Sequence, residues 1–175
     1  YPAALAVLEP LARTMPDAVS VHYEYGLTLA ELGRGEEAVA ALADLLAELD
    51  PALFVIDCLP NMTAEEITQR TVSFVKKIRS VRPNTPILMV EHPNYAHTSW
   101  DVEARESIKE KNAAFLQQFN RLQKDRVTGL HYFKGDHSFG DGDGTLDGVH
   151  PTDLGYTYYA NVLEPAIRPL LGNSK

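Results

Sequence analysis

Asp147 and His150 are the residues whose types and spacing most favour catalysis. A carboxylate three residues before a histidine, on a loop that opens a helix, can turn back onto the imidazole, fix its tautomer and stabilise its protonated form. The histidine can then accept a proton from a nucleophile, because its ordinary pKa lies near neutral pH. Asp and His are both common in loops, so the pair alone more often marks an ordinary surface histidine near a helix start.

Three short apolar runs alternate with helical segments in the part of the chain that contains this pair. Strands are predicted at residues 53–56, 87–90 and 127–133, the first of them buried on both faces. Helices are predicted at residues 63–80, 101–124 and 152–171. This alternation implies a parallel sheet with right-handed crossovers. Functional side chains are then expected in the loops after Ile56, after Val90 and before Thr152.

Two motifs at the ends of these elements resemble blocks of one hydrolase family. Residues 147–156, Asp-Gly-Val-His-Pro-Thr-Asp-Leu-Gly-Tyr, resemble the last block of the SGNH (GDSL-type) hydrolases, in which D-x-x-H-P opens the C-terminal helix. Residues 57–62, Asp-Cys-Leu-Pro-Asn-Met, follow a predicted strand, where that family has its asparagine block, and are similar to a bacterial D-x-L-P-N variant. The resemblance covers roughly residues 43–171.

The resemblance implies both a fold and a set of roles. It predicts an α/β chain with a partial flavodoxin-like, SGNH-type fold of three layers around a short parallel sheet. By the same resemblance, Asp147 and His150 would be the acid and base of a catalytic triad, and Asn61 would donate its side-chain amide to an oxyanion. The chain departs from the commoner G-x-N-D block, since Leu59 and Met62 replace its Gly and Asp.

The nucleophile block of that family has no counterpart here. In the family a G-D-S-like block follows the first strand, and both it and an oxyanion-hole glycine precede the asparagine block. The 60 residues before Asn61 are predicted to be helical up to about residue 50 and contain no G-x-S or G-D-S. Ser20, their only serine, lies near a helix start. We therefore expect the first two strands and the nucleophile to be missing, and the chain to have little or no esterase activity.

This absence predicts an unusual sheet. In the SGNH strand order 2-1-3-4-5, the strand at residues 53–58 corresponds to the third, so here it is expected at the edge of a three-stranded sheet. An edge strand exposes unpaired backbone groups. Three outcomes are open: the leader helices cover this edge, the protein dimerises through it, or the chain is marginally stable. We expect the preceding helix to cover it, because Leu42, Leu45, Leu46 and Leu49 run directly into the strand.

Residues 1–50 are predicted to be helical and resemble a different family. Residues 23–29, residues 33–38 and Asp50-Pro51 resemble one tetratricopeptide repeat, in which Gly26 and Ala38 have the spacing that lets two helices pack closely. A plain helical hairpin is the alternative. One repeat and a half cannot bury its own face, since about three are needed for independent stability. The predicted segments are therefore residues 1–50, tetratricopeptide-like, and residues 51–175, SGNH-like.

Three functions are compatible with these motifs. The first is an ester hydrolase scaffold that acts, by family, on small acyl esters of carbohydrates or lipids. The second is a peptide-binding module based on the helical segment, and the third is a non-catalytic chimera of two families. The net charge of −8 argues against nucleic acid or an anionic membrane as partner. No apolar run reaches the roughly 18 residues that a membrane span needs.

Cofactor and metal sites are not predicted. The acidic residues of the loop, Asp136, Asp141, Asp143 and Asp147, do not keep the register of a calcium-binding EF-hand. His92 and His97 flank the loop after the second strand, but neither lies in a zinc-binding pattern. Cys58 is the only cysteine, which excludes an internal disulfide and does not indicate a compartment.

Overall fold

The computed structural model describes residues 1–15, 18–38, 40–41, 49–135, 139 and 142–172. The chain divides into two compact units. The first comprises Tyr1–Asp50 with Ser73–Pro83, and the second comprises Pro51–Val72 with Asn84–Lys175. The predicted division into residues 1–50 and 51–175 stays a prediction.

Two helices form the start of the first unit. Helix α1 (Pro2–Thr14) packs against helix α2 (Val19–Glu31). Their buried residues include Ala12 and Leu29, and Ala38 in the following helical turn is buried as well. Gly26 is buried within α2, as close helix packing would require. Leu42, Leu45 and Leu46, on which the predicted cover of the edge strand depended, lie outside the described residues.

The second unit is built on a parallel sheet of three short strands. These are β1 (Phe54–Ile56), β2 (Ile87–Val90) and β3 (Leu130–Phe133), in the order β1-β2-β3. Both pairings are parallel, which confirms the predicted α/β class. Among the described residues no strand pairs with the outer edge of β1, so β1 occupies the edge position expected from the sequence.

Three long helices alternate with the strands close to their predicted bounds. They are α3 (Ala64–Val81), α4 (Val102–Lys124) and α5 (Asp153–Ile167). At the start of α3, the Thr63 hydroxyl accepts from the Glu66 backbone N–H at 3.2 Å, while the Glu66 carboxylate accepts from the Thr63 backbone N–H at 2.9 Å. This is the capping box that the sequence predicts.

Burial differs between the strands. All four residues of β2 are buried, as expected for a central parallel strand. The prediction that the first strand is buried on both faces is wrong, because Val55 in β1 is 44% exposed. An edge strand has fewer neighbouring strands and helices to cover it, so its apolar residues do not all reach the core. β3 begins at Leu130, three residues later than predicted.

In the second unit, aromatic packing joins a helix to the sheet, and the strand directions decide where the loops emerge. Phe119 of α4 packs on Tyr132 of β3 with ring centroids 4.8 Å apart, and Phe115 approaches the same ring at 6.0 Å. Because all three strands are parallel, their carboxyl ends meet at one edge of the sheet. The loops after Ile56, Val90 and Phe133 therefore leave the sheet on the same side, where α/β proteins bind ligands.

Candidate functional site

The Asp147–His150 contact that the sequence predicts is present. Asp147 Oδ2 lies 2.7 Å from His150 Nδ1, and Asp147 Oδ1 accepts from the backbone N–H groups of Val149 and His150 at 2.9 and 2.8 Å. The backbone N–H of His150, then its imidazole and the N–H of Val149, hold the pKa of Asp147 well below its usual range. An ionised carboxylate only accepts, so Nδ1 bears the proton and the lone pair of Nε2 stays available.

Backbone hydrogen bonds close the base of this loop. Thr145 and Pro151 form an antiparallel bridge, and the Thr152 backbone N–H donates to the Gly144 carbonyl at 3.0 Å. Gly155, in the first turn of α5, packs so closely on that carbonyl that a Cβ would lie 1.9 Å from it. Pro151 therefore belongs to the closed loop and not to the first turn of the helix, whose N-cap is Thr152. The loop that presents the histidine is thus anchored at both ends.

His97 joins the loop after β2 to the Asp147–His150 loop. Its Nδ1 lies 3.0 Å from the Gly148 carbonyl, which only accepts, so Nδ1 donates. Gly148 has φ +88°, a conformation that side chains disfavour, and a Cβ there would lie 3.3 Å from the Cβ of His97. The His97 ring stacks on Tyr95 at 5.7 Å. In the sequence, His97 was considered only as a metal ligand. Its hydrogen-bond partner Gly148 lies 51 residues away, so no local pattern indicates this contact.

Asn61 lies in the loop after β1, at the same edge of the sheet. It ends the short 3-10 helix Leu59–Asn61 and is exposed. Within the described part of the chain its side-chain amide makes no hydrogen bond. Lys111 of α4 donates to the Pro60 carbonyl at 3.2 Å and ties this loop to the helix.

Asp57 and Tyr159 form a second link that the sequence did not reveal. The Tyr159 hydroxyl of α5 donates to Asp57 Oδ2 at 2.9 Å and so joins the loop after β1 to the helix that follows the Asp147–His150 loop. Burial raises the pKa of Asp57, and the Tyr159 hydroxyl partly offsets that rise. Burial, together with the Asp57 charge and hydrogen bond, raises the pKa of Tyr159.

Aromatic rings line the space between these links. Tyr95 stacks on Phe139 with centroids 5.9 Å apart, and Phe139 meets the edge of Tyr159 at 5.0 Å. The pKa of Tyr95 is raised mainly by burial and then by the negative charges of Asp57 and Asp147. The ring contacts run from Tyr95 through Phe139 to Tyr159, whose hydroxyl donates to Asp57 in the loop after β1. Trp100, at the end of the loop that contains Tyr95, is 73% exposed.

Glu91 is a buried carboxylate that the sequence analysis missed. It follows β2 directly, is 9% exposed, and uses both oxygens: Oε1 accepts from the Tyr132 hydroxyl at 2.6 Å and Oε2 from the Gly135 backbone N–H at 2.8 Å. Burial, followed by Glu91, raises the pKa of Tyr132. A glutamate after an apolar strand resembles an ordinary surface charge, so no signal in the sequence distinguished it.

The structure describes only some of the residues that were considered as a nucleophile or as metal ligands. Ser20 is an exposed residue in the first turn of α2, in the first unit. Asp136, Ser138 and Asp141 lie outside the described residues. Among the residues that are described, no three His, Cys, Asp or Glu side chains cluster in a way that would hold a metal ion.

Residues 30–168 match the sequence model of the GDSL-like lipase/acylhydrolase family. The chain belongs to this family. A crystal structure of a GDSL-like lipase from Bacteroides ovatus is 38% identical, with a TM-score of 0.71, over 75% of this chain and 39% of that one. A salicylyl-acyltransferase from a tetracycline biosynthetic pathway, 17% identical over 76% of this chain and 42% of its own, is similar in fold with a TM-score of 0.59.

This GDSL-family chain thus spans about two fifths of the length of these two structures. No curated protein matches it with significance. The family match begins at residue 30, earlier than the residue 43 expected from the motifs. In the part of the chain that the structure describes, every helix is too short or too polar to cross a membrane.

Proposed function

We propose that the second unit is the part of an SGNH-type ester hydrolase site that supplies the acid–base pair and one oxyanion donor. The observation that supports this most is the 2.7 Å contact between Asp147 Oδ2 and His150 Nδ1 at the carboxyl edge of the sheet. Asn61, on a neighbouring loop of the same edge, has an unengaged side-chain amide. Family membership supports ester substrates for this site.

The chemistry follows from the hydrogen bonds. A nucleophilic hydroxyl facing His150 Nε2 would lose its proton to that nitrogen as its oxygen attacks the ester carbonyl. Asn61 would donate to the carbonyl oxygen as it becomes negative, and Asp147 would stabilise the imidazolium. His150 would return the proton to the departing alcohol. Water, activated by the same histidine, would then release the acid and restore the hydroxyl.

The nucleophile of this reaction is not assigned to any residue of this chain. The only serine before Asn61 is Ser20, and it does not lie in a G-D-S pattern. We therefore propose that the chain by itself has little or no esterase activity. Oxyanion donors and binding alone supply only a small residual catalysis. By family, the substrate would be a small acyl ester of a carbohydrate or lipid.

Hydrolysis of p-nitrophenyl acetate tests this proposal. We expect slow turnover that falls in the His150→Ala protein, is unchanged by Ser20→Ala, and is unchanged by His131→Ala, an exposed histidine of β3 used as the imidazole control. Turnover that vanishes in both the Ser20→Ala and the His150→Ala proteins would show a complete site and refute the proposed inactivity. Equal effects of His150→Ala and His131→Ala would refute the role of His150.

We infer a second candidate role, peptide binding by a tetratricopeptide-like hairpin, for the first unit. Val7, Leu11 and Met15 recur every four residues along α1 and its C-cap and are all exposed, a face that a peptide or a further repeat would cover. Buried Gly26 supports close packing of α2.

Glycine substitutions test this packing. We expect Gly26→Ala to lower the melting temperature, whereas Gly35→Ala, where a Cβ meets nothing within 4 Å, leaves it unchanged or slightly raised. Equal effects of the two substitutions would argue for a plain hairpin. Binding of a peptide would then have to be sought elsewhere on the unit.

A further inference from the structure

A groove of about 560 Å³ lies beside the aromatic rings but is not lined by Asp147, His150 or Asn61. Its walls are the segment after β2, the first turns of α4 and Gly135 after β3. The side chains that decide its chemistry are Arg105 and Lys109, with the polar groups of Asn94 and Ser99 nearby. Tyr95 and Gly135 also take part in the site described above, Tyr95 through its ring contacts and Gly135 through its hydrogen bond to Glu91.

We propose that this groove is a second ligand site, which binds the carboxylate or phosphate group of a small anion through Arg105 and Lys109. Carboxylate and phosphate each present two oxygens to which a guanidinium can donate paired hydrogen bonds. The proposal does not depend on the hydrolase reaction, since none of the residues assigned to that reaction lines the groove.

Arg105 is held in place by the wall of the groove. One of its terminal nitrogens donates to the Thr98 carbonyl at 3.2 Å. Thr98 is itself buried, and its hydroxyl donates to the Tyr95 carbonyl at 2.7 Å. A guanidinium has five N–H donors, so this anchor fixes the side chain and leaves further donors for a ligand. Such pre-organisation lowers the entropy cost of binding.

Arg105 and Lys109 are the charged side chains that line the groove, in a chain whose net charge is −8. Among the described residues, Glu106 is the carboxylate that contacts both cations: its Oε1 lies 2.7 Å from Lys109 Nζ and 3.8 Å from Arg105 Nε. The lining of the groove itself includes these two cations and no carboxylate, whereas Asp101, Glu103 and Glu106 lie outside the lining at the start of the same helix. An anion there would also compete with Glu106 for Lys109, so removal of the Glu106 charge should strengthen binding.

The two pairs of cations in α4 lie at opposite ends of the helix. Arg105 lies in the first turn of a helix that begins at Val102, where the positive end of the helix dipole disfavours a cation, and Lys109 follows one turn later. The pair Arg121 and Lys124 lies in the last turn, where the dipole favours them. A bound anion would be stabilised by the first pair and by the helix start together.

The two ends of α4 also differ in their place in the fold. A second groove, of about 590 Å³, includes Arg121 and Lys124. Because α4 connects the carboxyl end of β2 to the start of β3, its first turns lie at the carboxyl edge of the sheet and its last turns at the opposite edge. Ligands of parallel sheets bind at the carboxyl edge, which favours the groove of Arg105 and Lys109.

The floor of this groove is rigid. The Asn112 side chain accepts from the His92 backbone N–H at 2.8 Å and donates to the His92 carbonyl at 3.1 Å. Gly135 lies so close to that carbonyl that a Cβ would be 2.1 Å from it. The groove therefore exists before any ligand binds, and binding should shift resonances of its walls without reorganising the unit.

Titration of the full chain, followed by ¹H–¹⁵N NMR at constant ionic strength, tests the proposal. The probes are malonate, inorganic phosphate and, as the simple-anion control, chloride, because exposed charges respond to salt alone. We expect saturable shifts around Arg105 and Lys109 with malonate or phosphate. The Arg105→Gln/Lys109→Gln protein should bind at least about tenfold more weakly, as expected for lost charge-assisted hydrogen bonds.

The matched control is Arg121→Gln/Lys124→Gln, which removes the same charge from the other end of α4. Its affinity should equal that of the unmodified chain, and Glu106→Gln should bind several-fold more tightly. Similar weakening in both double variants, or shifts that chloride reproduces, would overturn the proposal. Preserved resonances elsewhere in the chain show that a variant is folded. Lys109→Gln alone, a change at an exposed side chain, provides an independent and milder variant. The relative affinities for malonate and phosphate identify which oxyanion the groove prefers.

Discussion

Two carboxylates at the carboxyl edge of the sheet, Glu91 and Asp147, have opposite surroundings. Glu91 is 9% exposed, and its partners are a tyrosine hydroxyl and a backbone N–H. The Asp147 side chain is 55% exposed, and its partners are two backbone N–H groups and an imidazole. Both are fully hydrogen-bonded. The buried one joins the ends of β2 and β3, whereas the exposed one orients a histidine that a ligand can reach.

Burial decides what the loss of each carboxylate costs. When a buried carboxylate is removed, its donors are left without water or partner, and each carries a desolvation penalty. When an exposed carboxylate is removed, water replaces it. The comparison therefore predicts that changes at Glu91 affect stability and that changes at Asp147 affect the histidine.

The largest expected effect is that of Glu91→Ala. It strands the Tyr132 hydroxyl and the Gly135 N–H, and we expect a loss of roughly 2–4 kcal/mol in the free energy of unfolding. Urea denaturation measures this. Asp147→Ala, the same truncation at an exposed carboxylate, should lower the denaturation midpoint much less. A midpoint that shifts equally in both proteins would remove the distinction between the two carboxylates.

An intermediate effect is expected at the contact between His97 and Gly148. Gly148→Ala forces a side chain into a left-handed conformation at a cost of about 1–2 kcal/mol, and it places a Cβ against His97. We expect it to weaken the Asp147–His150 hydrogen bond. The NMR resonances of the His150 imidazole measure this change.

His97→Ala removes the hydrogen bond to the Gly148 carbonyl without straining the backbone, at a cost of roughly 1 kcal/mol. It should shift the same His150 resonances by less, and His131→Ala, at an exposed histidine of β3, should not shift them. If His97→Ala leaves the His150 resonances in place, His97 does not position that loop.

The smallest effects are expected in the pH titration of Asp147 and Asp57, which respond in opposite directions. The pKa of Asp147 in the folded protein is lowered, so its contribution to stability is present above the ordinary carboxyl pKa and is lost as the pH falls toward the folded pKa. The pKa of Asp57 is raised, chiefly by burial, so ionised Asp57 disfavours folding and stability is gained as the pH falls through its folded pKa.

Carboxyl ¹³C NMR separates these two responses. Asp147 should stay ionised at a pH where Asp57 has taken up its proton. Tyr159→Phe removes the hydrogen bond that lowers the pKa of Asp57, so that pKa should rise further while Asp147 is unaffected. A fall in the pKa of Asp57 in the Tyr159→Phe protein would contradict this account.

Local features of this chain were determined by the sequence alone. Asp147 and His150 are three residues apart, and Thr63 and Glu66 are equally close, so the contacts of both pairs lie within reach of one turn of backbone. The apolar run at β2 likewise predicts a buried central strand, because a parallel strand is covered on both faces. These contacts form wherever the surrounding fold places the segment.

The contacts between loops were decided only by the tertiary structure. His97 and Gly148 are 51 residues apart, Glu91 and Tyr132 are 41 apart, and Asp57 and Tyr159 are 102 apart. Each joins loops or helices whose neighbourhood depends on the order of three parallel strands, and that order is not written in any local pattern. The same order left β1 at an edge with Val55 exposed, because burial depends on which elements are present to cover a strand and not on its own apolar residues.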